Sequence, residues 1–185
     1  MIEKVKKDTK ERMEKAVDVV RGEFAKLRTG KASPALLDNV KVDYYGNPTV
    51  IKQVANISAP EPRLIVIQPW ERRLLNDIEK AIQKADLGFN PSNDGIVIRI
   101  PIPQLTEERR KDLVKIAKKH AEDGKISLRN IRRDANDKLR QAEKASEVSE
   151  DQMHDGQNEV QKLTDDYVKK IDDLLAIKEK EIMGG

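Results

Sequence analysis

The chain has no cysteine, so disulfides and thiolate chemistry are excluded, which fits a reducing compartment. Aromatic residues make up 3% of its 185 residues, so Leu, Ile, Val and Ala must fill whatever core exists. Two histidines, His120 and His154, fall on different predicted helices, and no His/Cys cluster has metal-ligand spacing. Neither G-x-x-x-x-G-K-[ST] nor G-x-G-x-x-G occurs, so no phosphate-cradling loop is expected. No apolar run approaches the roughly 18 residues that span a bilayer. The first residues mix Glu3, Asp8, Glu11 and Glu14 with lysines, unlike a transit or signal peptide. These absences lead us to expect a cytoplasmic, non-enzymatic protein with no cofactor, no metal and no membrane contact.

Charge is abundant, at 37% of residues, and unevenly spread although the net is +3. Residues 106–146 carry thirteen basic and eight acidic side chains; residues 147–185 carry five and eleven. A basic helix followed by an acidic one suits a polyanion partner on one face, or simple attraction between the two helices.

The dominant stretch is 106–146, which reads as one amphipathic helix of about 40 residues, roughly 60 Å long. Val114, Ala117, Ala121, Gly124, Leu128, Ile131, Ala135, Leu139 and Ala142 recur at steps of three or four and form one stripe. Arg129, Arg132, Arg133 and Arg140 share another face, turned roughly 120° from the stripe. Arginine pairs bidentately with phosphate, so that face is a candidate for gripping an RNA backbone. With no aromatic interleaving, contact would go to phosphate and sugar rather than to stacked bases. The competing reading is a solvated face paired with Asp134 and Asp137.

A first helix is expected over 2–29, on a seam of Met13, Val17, Val20, Phe24 and Leu27, ending at Thr29-Gly30 with Gly30 as a left-handed cap. From Val40 the period becomes two. Strands are expected at 40–44, 49–58, 63–68 and 96–102, with a helix over 71–85 and a turn at 90–95. Ser149 and Gln152 fit a capping box that opens a third helix, running to about Ile182 on Met153, Val160, Leu163, Tyr167, Ile171 and Leu174. Three long amphipathic helices need one another, so residues 1–30 and 106–185 should form a three-helix bundle. Residues 31–105 should be a small inserted α+β domain. It would hang on two connectors, Thr29, Gly30 and Lys31 on one side and Pro103, Gln104 and Leu105 on the other, which together make a hinge.

Several motifs resemble the bacterial ribosome recycling factor family. They are Leu27-Arg-Thr-Gly-Lys-Ala-Ser-Pro34, Val42-Asp-Tyr-Tyr-Gly46, Asp86-Leu-Gly-Phe-Asn-Pro91, Pro103-Gln-Leu-Thr-Glu-Glu-Arg-Arg110, Arg129-Asn-Ile-Arg-Arg-Asp-Ala-Asn136 and Gln161-Lys-Leu-Thr164. They occur in order along the whole chain. The resemblance implies an L-shaped α+β protein, a long three-helix bundle with a small β/α/β domain. It implies a monomer that works with elongation factor G and GTP to separate post-termination ribosomes into subunits, its bundle lying on large-subunit ribosomal RNA. Arg132 matches the family's RNA-contacting arginine, with Arg129 and Arg133 beside it. Lys31 stands where the family has arginine, and Gly124 where it has a better helix former. The alternative is a coiled-coil adaptor or chaperone-like helical protein.

Overall fold

A computed structural model describes residues 1–27 and 29–184. Arg28 and Gly185, which fall within the expected first helix and bundle, lie outside the described residues. The chain divides into two compact units: Met1–Arg28 with Glu107–Gly185, and Thr29–Thr106. Thr29, Gly30 and Thr106 fall in the second.

The first unit packs three helices: α1 (Ile2–Ala25), α3 (Glu107–Lys144) and α4 (Glu150–Gly184). α1 buries Val5, Thr9, Met13, Val17, Val20 and Phe24, and α3 buries Leu113, Ala117, Ala121, Gly124, Leu128, Ile131, Ala135, Leu139 and Ala142. Leu113 thus takes the place expected of Val114, which is half-buried. Both are apolar and both lie one turn before Ala117; packing chooses the step of four. α4 buries Gly156, Val160, Thr164, Tyr167, Ile171 and Ile182, so Thr164 replaces the expected Leu163 in the seam. The buried hydroxyls of Thr9 and Thr164 donate to the Val5 and Val160 carbonyls at 2.6 and 2.8 Å, which removes the cost of burying them.

Small residues bring the helices close. A Cβ built on Gly124 would fall far inside van der Waals contact of Val20 Cγ2 and 3.0 Å from Ile171 Cδ1. At Gly156 it would stand 3.2 Å from both Leu139 methyls. Gly124 is therefore a packing requirement where three helices meet, not merely a weak point in α3.

α1 ends earlier than expected. Lys26 N–H donates to Glu23 O and Leu27 N–H to Phe24 O, a three-residue tightening that closes the helix at Ala25. Gly30 does take a left-handed φ of +82°, but past the helix end rather than as its cap. The α3–α4 turn is sealed at both ends. Glu147 N–H donates to Ala142 O and Ser146 N–H to Glu143 O, a Schellman motif with Ser146 at φ 58°. Gln152 N–H donates to Ser149 Oγ at 3.1 Å, and Ser149 N–H to Gln152 Oε1 at 2.9 Å, which closes the expected capping box.

The second unit holds two sheets. Strands β1 (Lys41–Tyr44) and β2 (Asn47–Val50) form a hairpin, and Tyr45 and Gly46, at φ 50° and 84°, make its two-residue turn. Strands β3 (Ala55–Glu61), β4 (Leu64–Pro69), β5 (Ser92–Asn93) and β6 (Ile98–Pro101) form an antiparallel sheet in the order β3-β4-β6-β5. The expected extended stretch 49–58 is broken by a 3-10 turn at Ile51–Gln53, and β3 runs on through Pro60 because it is an edge strand. A 3-10 turn at Arg72–Leu74 leads into α2 (Leu75–Lys84), whose Leu75, Ile78 and Ile82 are buried. Their core neighbours include Ile65, Ile67, Ile98 and Ile100 from the sheet. Before β6, Asp94 accepts from the Val97 and Ile96 amides and from Arg99, contacts that hold its carboxyl well below the usual carboxylate range. Among the described residues no helix is long and apolar enough to cross a membrane.

Candidate nucleic-acid interface

The arginine face of α3 is less uniform than expected. Arg129, Arg133 and Arg140 are exposed, whereas Arg132 is half-buried. By about 100° per residue Arg132 lies only about 60° from the centre of the apolar stripe, on the side that meets α4. Its Nη1 donates to Gln161 Oε1 on α4 at 3.1 Å, and Gln161 Nε2 donates on to Asp165 Oδ1 at 2.9 Å. Arg132 therefore flanks the core seam instead of sharing one outer face with the other three.

The remaining arginines differ in their partners. Arg129 Nη1 pairs with Glu122 at 3.2 Å and Arg140 Nη1 with Asp137 at 2.8 Å, all on α3. The Arg133 side chain makes no hydrogen bond or ion pair among the described residues. Asp134 turns away to α1 and meets Arg12 at 3.0 Å. Expected pairing of the face with Asp134 and Asp137 thus holds only for Asp137, through Arg140. Attraction between basic α3 and acidic α4 takes the form of an ion pair at Lys125–Asp172. Arg132 and Arg133 have no carboxylate partner among the described residues, whereas Arg129 is held by Glu122 of its own helix.

His120 flanks the seam, 3.7 Å from Glu23 of α1. Among the described residues no group of His, Asp and Glu could hold a metal ion.

The two connectors are built side by side within the second unit. Ala32 N–H donates to Pro62 O at 2.7 Å, and Ile102 N–H to Arg63 O at 2.8 Å. The residues just inside the two connectors, Ala32 and Ile102, thus anchor at the same β3–β4 tip. Gly30 is buried, and a Cβ built there would stand 3.4 Å from the Leu105 side chain. Lys31, Pro103 and Gln104 are exposed, and Thr29 and Leu105 half-buried. Gln161 enters the sequence reading only within a family motif, and its bond to Arg132 was missed. Its register against Arg132 depends on how α4 folds back along α3, and no local spacing reveals that.

Residues 20–183 match the family model described as ribosome recycling factor. The chain is 55% identical over 183 residues to the ribosome-recycling factor of Desulfatibacillum aliphaticivorans, covering 99% of each chain. To that of Bacillus licheniformis it is 56% identical over 183 residues, again covering 99% of each. A solution structure of a ribosome recycling factor superposes with a TM-score of 0.80 at 42% identity, covering 100% of this chain and 98% of that one. A second structure describes the T. thermophilus ribosome recycling factor and E. coli elongation factor G bound to the E. coli post-termination complex. It matches with a TM-score of 0.65 at 46% identity, covering 98% of each chain. On this full-length likeness the chain belongs to the ribosome recycling factor family, a family of non-enzymatic translation factors.

Proposed function

We propose that this chain binds post-termination ribosomes in the cytoplasm as a monomer and, with elongation factor G and GTP, separates them into subunits. The relative captured with elongation factor G on a post-termination complex carries this reading. GTP chemistry belongs to the partner, in keeping with a sequence that holds no phosphate loop. The bundle docks on large-subunit ribosomal RNA through Arg129, Arg132 and Arg133, which grip phosphates rather than read bases.

Residues 31–105, the bulk of the second unit, move as a body on the hinge of Thr29, Gly30 and Lys31 with Pro103, Gln104 and Leu105. Two short connectors, whose inner neighbours Ala32 and Ile102 are pinned to one hairpin tip, support this, because a paired attachment restricts the directions of bending. Pro103 stiffens one strand by fixing its φ, while Gly30 holds a backbone angle that other residues resist.

The test is light scattering of purified post-termination ribosomes mixed with the chain, elongation factor G and GTP. Splitting that needs all three is expected. Splitting no faster than with elongation factor G and GTP alone would overturn the proposal. The helical-adaptor alternative predicts instead salt-insensitive binding to unfolded proteins, without RNA.

A further inference from the structure

We propose that Gln161 of α4, backed by Asp165, is a positioning residue that holds the Arg132 guanidinium ready for RNA. The inference rests on the reading of Arg132 as a phosphate-gripping residue. A guanidinium carries five N–H donors, and Arg132 commits one of them, on Nη1, to Gln161 Oε1. That leaves enough of the planar fork free to meet a phosphate with two parallel bonds.

The chemistry of the partner matters. Arg129 and Arg140 are held by carboxylates of their own helix, Glu122 and Asp137. A carboxylate competes with phosphate and cancels the charge that attracts it, so those two arginines must first break an ion pair. Gln161 is neutral. It fixes the direction of Arg132 without placing a carboxylate directly against the guanidinium. Asp165 completes the arrangement by accepting from Gln161 Nε2 at 2.9 Å. Because that end of the amide must face a carboxylate, its oxygen is turned to the arginine. The chain of three residues crosses from α3 to α4 and ties the arginine's aim to bundle packing.

The experiment measures binding to purified large ribosomal subunits over a salt series, with Gln161→Met, Gln161→Glu, Arg132→Met and the double variant Arg132→Met/Gln161→Met. Urea midpoints are followed for each variant to show that the bundle is intact. Gln161→Met should weaken binding about two- to tenfold, the cost of immobilising one long side chain at the interface. The salt slope should stay unchanged, since the same phosphates are met. Gln161→Glu should capture Arg132 in an ion pair and lower the slope by about 0.9, one phosphate contact. In the Arg132→Met background, Gln161→Met should have no further effect. An equal loss with and without Arg132, or no loss while Arg132→Met weakens binding, overturns the positioning role and leaves the arginine face standing. If Arg132→Met binds normally, the arginine-face reading falls and this inference falls with it.

Discussion

Substituting Gly124 by alanine sets two effects against each other. In an open helix position, Gly→Ala stabilises by about 1 kcal/mol, because glycine loses more backbone freedom on folding. Gly22 is such a position: it lies in α1, is exposed, and has nothing within 4 Å of where a Cβ would be. At Gly124 the new methyl collides with Val20 Cγ2, on a side chain 2% exposed. A helical valine has essentially one χ1 rotamer, so it cannot swing aside, and α1 and α3 must part instead. Overpacking of this kind costs about 1–3 kcal/mol, and we place it in the upper half of that range. The expected net effect is a destabilisation of about 1–2 kcal/mol, or ~2–8 °C in midpoint for a chain of this size.

The assay is urea and thermal unfolding followed by far-ultraviolet circular dichroism, whose helical signal comes chiefly from α1, α3 and α4. Gly22→Ala serves as the control and should raise stability. Val20→Ala should cost about 1–3 kcal/mol alone. Combined with Gly124→Ala it removes the clashing methyl, so the double variant should be more stable than the sum of the singles by about 1 kcal/mol. Gly124→Ala behaving like Gly22→Ala, or strict additivity in the cycle, would refute the close-packing argument.

Other outcomes are equally specific. Arg132→Glu should abolish subunit splitting while costing about 0.5–1.5 kcal/mol of stability, the worth of its bond to Gln161; early melting, or normal large-subunit binding, would contradict it. Binding to large subunits should weaken steeply with log salt, and a flat response would indicate protein–protein docking as the main attachment. Ser146→Gly should stabilise by about 1 kcal/mol, since a non-glycine residue at φ 58° carries the left-handed penalty; unchanged urea midpoints would count against this. Burial, then the hydrogen bond to Glu14, pushes the Tyr167 hydroxyl up to about 12. The folded state favours its neutral form, so this contribution is intact below pH ~10 and lost as pH rises toward ~12. Tyr167→Phe should flatten that part of the stability–pH curve.

What could be read from the chain alone followed the range of each interaction. Ser149 and Gln152 are three residues apart, and their capping box needs nothing beyond its own backbone, so it was legible. The stripes of α1 and α3 were legible for the same reason. Errors arose where tertiary packing chose between neighbours. Leu113 or Val114, and Thr164 or Leu163, are equal candidates until a facing helix selects one. Thr164 was hidden further because its hydroxyl is satisfied within its own helix, which lets a polar residue enter the seam. The break at Ile51–Gln53 was not legible because its residues suit a strand as well as a turn. At the arginine face the charges were legible, and a stricter count at about 100° per residue sets Arg132 apart; only its bond to Gln161 needed α4 in place.

The sealed α3–α4 turn acts as the zero mark of a ruler. Counting back from it about 15 residues reaches Arg132, and counting on about 14 reaches Gln161; each path is ~21–23 Å of helix. Leu139 against Gly156 and Gly124 against Ile171 keep the same alignment. A residue inserted within α4 between Met153 and Gly156 would slide one scale past the other by ~1.5 Å and rotate it by about 100°. Every matched pair along the bundle would then be offset at once, including an arginine far from the insertion. The exposed positions of that helical span can accept many changes of identity but not of number, so an insertion there would disturb a surface it never touches.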